Sequence, residues 1–163
     1  MIGKEELNRI ALRTGLDLYQ QEKDYLLTLF LFLYYKKYQD AIFKGGTCLK
    51  YLLGFDRFSE DLDFNITKVD TFKEQVHRVI DLFKDMGINC HFLKEESFPD
   101  SYTCIVAAEG PLFAGTAQTH NKFRIDAGYR TGTLKKPEWK IINSEYPEVN
   151  TILALVMDFE EIL

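Results

Sequence analysis

The sequence predicts an α+β domain: a mixed, strongly twisted sheet with helices packed mainly on one side. Two observations lead there. Through Met86 the longer apolar runs follow a helical period, and beyond Gly87 the period changes to that of strands. The chain's 163 residues also suit one domain, at the usual scale of about 100–200 residues each, and suffice to bury a proper core.

The elements follow in order. Glu5 to Leu16 reads as a short amphipathic helix with Leu7, Ile10, Ala11 and Leu12 on one side, ended or interrupted by Gly15. Asp17 to Lys37 reads as a longer helix so rich in apolar residues that it must be covered on most sides. A short strand, Ala41-Ile42-Phe43, leads through Lys44-Gly45-Gly46 into a brief helix from Thr47 to Leu53, which Gly54 stops. The strand Asp61 to Ile66 comes next. Asp70 or Thr71 caps a helix running to Met86, with Phe72, Val76, Val79, Ile80 and Phe83 at helical spacing. Ile88 to Leu93, Tyr102 to Ala108, Lys122 to Gly128, Trp139 to Ile142 and Ile152 to Met157 read as strands. Asp158 then caps a new helix whose first turn ends the chain on Ile162-Leu163, so a fragment of a longer protein is expected.

Composition narrows the function classes. With 46% hydrophobic and 28% charged residues the chain reads as an ordinary globular protein. A net charge of −5 argues against a surface that grips long nucleic acid through many phosphates, and points to local contact at most. Three cysteines, Cys48, Cys90 and Cys104, form no CxxC pair, so neither a disulfide framework nor a zinc knuckle is expected, and reduced thiols fit a cytoplasmic protein. The start, Met1-Ile2-Gly3-Lys4-Glu5-Glu6, does not read as a signal peptide. The most apolar stretch, Tyr25 to Tyr35, falls short of the roughly 20 residues that span a bilayer, so no membrane partner is expected.

Chemistry concentrates between Lys44 and Phe64. Gly45-Gly46-Thr47, between a strand and a helix, presents backbone N–H groups and a hydroxyl to a phosphate, because a helix start leaves its N–H groups unpaired. Taken alone, the same run reads more readily as a tight turn with Thr47 as N-cap, and Lys44 as a surface strand end. Asp61 and Asp63, one residue apart on a strand, share a face. Aspartate is disfavoured in strands, and two on one face repel unless a cation lies between them. Paired carboxylates hold Mg²⁺ and link it to substrate phosphates. A third carboxylate, Asp126 in Arg124-Ile125-Asp126, points the same way as Arg124 while Phe123 and Ile125 face inward; a plain strand-end aspartate is the competing reading. Arg57 and Ser59 either contact phosphates or close a loop salt bridge. His77, His91 and His120 lack metal-ligand spacing and read as structural or surface residues. Lys135, Lys136 and Lys140 near Trp139 read as a solvated hairpin, with RNA contact as the alternative.

The strings Lys44-Gly45-Gly46-Thr47, then Leu49, and Arg57-Phe58-Ser59-Glu60-Asp61-Leu62-Asp63-Phe64 resemble the signature of the AbiEii/AbiGii-type nucleotidyltransferase toxins. These belong to type IV toxin–antitoxin and abortive-infection phage-defence systems, within the DNA polymerase β-like superfamily. The order of elements is similar over nearly the whole chain. The resemblance implies a polymerase β-like nucleotidyltransferase fold over residues 1–163, cut before a helical C-terminal domain that carries further residues linked to activity. It makes Gly46 and Thr47 the pair that steadies nucleotide phosphates, Asp61 and Asp63 the metal-binding carboxylates, and Asp126 the third, base-like carboxylate. It implies Mg²⁺ or Mn²⁺ as cofactor, GTP or a pyrimidine triphosphate as donor, tRNA or protein as acceptor, and a cognate antitoxin as partner. The expected reaction moves a nucleoside monophosphate to an acceptor hydroxyl. Two rivals stand: a non-catalytic nucleotide- or partner-binding module of the same fold, and an aminoglycoside-modifying type of nucleotidyltransferase, against which the Arg57-Phe58-Ser59-Glu60 run speaks.

Overall fold

The computed structural model describes residues 1–54, 58–129 and 135–162. Its elements are α1 (Lys4–Thr14), α2 (Leu18–Lys37), β1 (Ile42–Lys44), α3 (Gly45–Leu53), β2 (Asp61–Ile66), α4 (Val69–Asp85), β3 (Cys90–Phe98), β4 (Ser101–Ala108), β5 (Asn121–Tyr129), β6 (Glu138–Tyr146), β7 (Val149–Val156) and α5 (Phe159–Ile162). Seven strands form one mixed sheet in the order β3-β4-β5-β2-β1-β7-β6. Two neighbours run parallel, β2 with β5 and β1 with β7, and the other pairs run antiparallel. The α+β architecture expected from the change of period is the one formed.

α2 organises the core. Asp17 caps it through a reciprocal box with Gln20, accepting the Gln20 N–H at 2.8 Å. The helix then packs against β5, β7 and α4, burying Tyr25, Phe30 and Tyr34 completely. Phe64 of β2 lies among these rings, with centroids 5.6 Å from Phe43, 5.4 Å from Phe72 and 5.8 Å from Tyr34. Removing so buried an aromatic costs about 3–5 kcal/mol in comparable cores.

Several boundaries differ from the sequence reading, each for a physical reason. Gly15, in the left-handed conformation at φ 83°, closes α1 at Thr14, and Leu12 is 78% exposed, off the buried side. α3 opens on Gly45 with Lys44 as N-cap, so Thr47 lies inside the first turn and is not the cap. α4 starts at Val69 after Lys68, with Asp70 in its first turn where a negative charge suits the helix dipole. β3 begins at Cys90 and continues through the charged run Lys94-Glu95-Glu96, because an edge strand tolerates charge where a central one does not. β6 likewise extends to Tyr146, past the apolar run that suggested it.

Alternation along β2 and β5 divides the sheet. Leu62, Phe64, Phe123 and Ile125 enter the core, and Asp61, Asp63, Arg124 and Asp126 stand on the opposite face.

Candidate functional site

Register builds the site. Lys44 of β1 lies opposite Asp63 of β2, Asp63 opposite Asp126 of β5, and Asp126 opposite Thr103 of β4. Directly paired residues project from the same side of a sheet, so these four form a row across it. In the next row Asp61 is opposite Arg124. The parallel β2–β5 pairing thus brings Asp126 beside Asp61 and Asp63.

Gly45 fits beneath this row. Its φ is 86°, a conformation glycine adopts without strain, and a Cβ built there would stand 2.6 Å from Asp63 Oδ2. Any larger residue would displace the carboxylate. Behind it, α3 offers the N–H groups of its first turn, which have no carbonyl within the helix to bond. The Thr47 hydroxyl is buried and donates to the Asp61 carbonyl at 2.5 Å, so it ties α3 to β2 and leaves its backbone N–H for a ligand.

Two clefts meet at Asp63. One, of about 220 Å³, is lined by Gly46, Thr47, Phe58, Ser59, Glu60, Asp61 and Asp63. The other, of about 300 Å³, is lined by Lys44, Asp63, Thr103, Asp126, Gly128 and their neighbours. Ser59 is buried, and its hydroxyl has no partner among the described residues. Of the residues singled out from sequence, Gly46, Thr47, Ser59, Asp61 and Asp63 meet in the first cleft, and Lys44 and Asp126 in the second. Arg57 lies outside the described residues.

The electrostatics are those of crowded acids. Burial, and then the neighbouring Asp126, push both the Asp61 and the Asp63 carboxyl above the ordinary aspartate value; Asp61 raises Asp63 further. Lys44 and Arg124 pull Asp63 the other way. Asp126 Oδ1 accepts from Thr103 Oγ1 at 2.5 Å and from Arg124 Nε at 3.0 Å. Neither Thr103 nor Arg124 was assigned a role from sequence. The Arg-x-Asp spacing signals the second, since residues two apart share a face, but Thr103 comes to Asp126 only through β4–β5 register. Among the described residues no group of three or more histidine, cysteine or acidic side chains is already disposed to hold a metal ion.

Other clusters lack this character. The histidines serve packing and edge contacts: His77 stacks on Phe92 and pairs with Glu95, and His120 stacks on Phe113. The three cysteines are free, their thiols pushed up to about 12 by burial. Lys135 is paired with Asp158 and Glu160, and Lys140 with Glu138; β5 and β6 are not neighbours in the sheet, so the hairpin expected around these lysines is not one formed by those two strands. No helix among the described residues is long and apolar enough to cross a membrane.

An open sheet face with paired acids beside a glycine-led helix start is the arrangement expected of a nucleotidyltransferase-type protein. Residues 32–163 match the family described as nucleotidyl transferase AbiEii toxin, Type IV TA system, and the chain belongs to that family. Among solved structures it is similar to MenT4, a nucleotidyltransferase toxin from Mycobacterium tuberculosis H37Rv. That match has a TM-score of 0.61 at 18% identity, covering 97% of this chain and 56% of that one. It is also similar to JHP933 from Helicobacter pylori, with a TM-score of 0.58 at 17% identity, covering 90% of this chain and 54% of that one. At such identities the likeness speaks for the fold. The chain spans a little over half the length of these structures. No curated protein matches it.

Proposed function

We propose that this chain is the nucleotidyltransferase core of a toxin that moves a nucleoside monophosphate from a triphosphate to an acceptor hydroxyl. One observation carries the reading: Asp63 is a common wall of two clefts, one backed by helix-start amides and the other by Asp126. In the first cleft the backbone N–H groups of Gly46 and Thr47 bind the phosphates, and the Ser59 hydroxyl, without a partner among the described residues, gains an acceptor there. In the second, the acceptor hydroxyl lies against Asp126, whose Oδ2 takes its proton while Oδ1 stays bound to Thr103. Lys44, opposite Asp63 in this cleft, attracts the acceptor's or donor's negative charge.

The donor types suit a hard divalent cation, carboxylate oxygens of three residues on one face that would have to draw together to hold it, and Gly45 leaves room for the Asp63 carboxylate. Asp61 and Asp63 would hold Mg²⁺ or Mn²⁺, with Asp126 as third ligand. Bound there, the ion neutralises charge on the phosphates and the leaving group. The rest is positioning by the chain.

Finer points rest on family likeness. The donor is GTP or a pyrimidine triphosphate and the acceptor tRNA or protein. The setting is the cytoplasm, opposite a cognate antitoxin, in defence against phage. The chain spans a little over half the length of the matched structures, and on family likeness a helical C-terminal domain completes the working protein. That same observation favours the second reading, a nucleotide- or partner-binding module without transfer.

Calorimetric titration of GTP, ATP, CTP and UTP, with and without Mg²⁺, tests the site. Wild type should bind one nucleotide in a Mg²⁺-dependent way, and an Asp61→Asn/Asp63→Asn double variant should not. Equal binding by both proteins would sink the assignment. Transfer activity in a longer chain, absent from residues 1–163, separates enzyme from module.

A further inference from the structure

We propose that Arg124 is the resident counter-ion of the carboxylate cluster and competes with the divalent cation for it. The inference rests on the metal reading above and adds a residue that reading does not use. Asp61, Asp63 and Asp126 put three carboxylates on one face, and in the absence of a metal their repulsion needs an answer. Among the described cations, Arg124 is the one in contact: its Nε donates to Asp126 Oδ1 at 3.0 Å, and its backbone position is directly opposite Asp61. Lys44 is opposite Asp63, and Lys23 turns to Glu60 at 3.7 Å.

Two donors, Arg124 Nε and Thr103 Oγ1, occupy the same oxygen of Asp126. This splits their roles. Thr103 holds the carboxylate in place without charge, so Asp126 keeps its position when the arginine is removed. Arg124 supplies charge, and because its side chain is 51% exposed it swings into solvent at little cost. A divalent cation arriving between the carboxylates repels the guanidinium. Arg124 then has to yield part of its contact, and every metal-binding event carries that cost. Arg124 is thus the charge partner of the metal-free cluster and a brake on loading it.

Two measurements test this, one of them free of metal. In metal-free buffer, urea unfolding of Arg124→Gln, Asp126→Asn and the double variant forms a cycle. Arg124→Gln should lower the urea midpoint more in the wild-type background than in the Asp126→Asn background, where Asp61 and Asp63 still face it. Equal effects in both backgrounds would remove the counter-ion role. Calorimetric titration with Mn²⁺ then asks about competition. Arg124→Gln should bind Mn²⁺ about tenfold more tightly than wild type, since a cation a few ångströms away has been deleted. Arg124→Lys, which keeps the charge and loses the planar fork, should stay within about twofold of wild type. A purely structural arginine predicts weaker Mn²⁺ binding in Arg124→Gln, and that result, or no change, overturns the proposal. Should no variant bind Mn²⁺, the metal reading fails and the competition with it, while the urea cycle still decides whether Arg124 neutralises the acids.

Discussion

Two groups of acidic side chains in this molecule are buried to different depths and treated in opposite ways. On α2, Glu22 and Asp24 lie almost wholly inside the protein. Glu22 accepts from Asn121 Nδ2 at 2.8 Å and from the Leu112 N–H at 2.6 Å. Asp24 accepts from the Tyr51 hydroxyl at 2.9 Å and the Tyr146 hydroxyl at 2.5 Å, with Lys50 Nζ at 3.6 Å. On the open face, Asp61 and Asp63 are less buried, and among the described residues neither carboxylate accepts a hydrogen bond or forms an ion pair. Burial raises the pKa of Glu22 as it raises those of Asp61 and Asp63, so direction does not tell the groups apart. The next cause does: hydrogen-bond donors counter the shift at Glu22, whereas fellow carboxylates add to it at Asp61 and Asp63. A saturated acid holds structure together. On the proposed reading, an acid pair without donors among the described residues is kept for a ligand that arrives from outside.

The contrast breaks most readily at Asp24. Asp24→Ala strands two tyrosine hydroxyls and a lysine and should cost about 3 kcal/mol in urea unfolding, whereas Asp63→Ala should cost little and leave the circular dichroism spectrum unchanged. If Asp63→Ala destabilised as much as Asp24→Ala, the open-face acids would be structural too. Gly45→Ala comes next, at about 1–2 kcal/mol, because it combines a left-handed backbone with a Cβ against Asp63. It should also abolish Mg²⁺-dependent nucleotide binding through displacement of that carboxylate. Thr47→Val removes the donor to the Asp61 carbonyl and should lose about 1 kcal/mol of stability, with nucleotide affinity reduced less than in Gly45→Ala.

The smallest effect has an informative sign. With folded-state pKa values above the unfolded ones, Asp61 and Asp63 bind protons more readily in the folded protein, so their contribution to stability worsens as pH rises through the raised values. Asp63→Asn should therefore raise the melting temperature of metal-free protein at pH 7, by roughly 2 °C, and the gain should shrink toward pH 4. A variant that melts earlier at pH 7 would mean that Asp63 has a partner stabilising its charge.

Sequence and structure agree most where chemistry is local. The Asp61–Asp63 alternation, the Gly45 turn and the inward Phe123 and Ile125 depend on neighbours a few residues away, and all were readable. Asp24 was not: its tyrosines come from positions 51 and 146, and no local pattern announces them. Thr103 was hidden for the same reason, since only β4–β5 register brings it to Asp126. β3 and β6 were underestimated because edge strands admit charged residues, which erase the alternation that marks a strand.

The parallel pairing of β2 with β5 also has a consequence in time. Asp63 and Asp126 are adjacent in the sheet yet 63 positions apart along the chain, with α4, β3 and β4 between them. Pairings of such long sequence separation form slowly, because chain entropy is lost before any contact repays it. A growing chain that has not yet delivered β5 carries the whole Lys44–Phe64 signature without an assembled centre. For a member of a toxin family, assembly of the proposed site is thereby deferred until most of the domain has been made and folded.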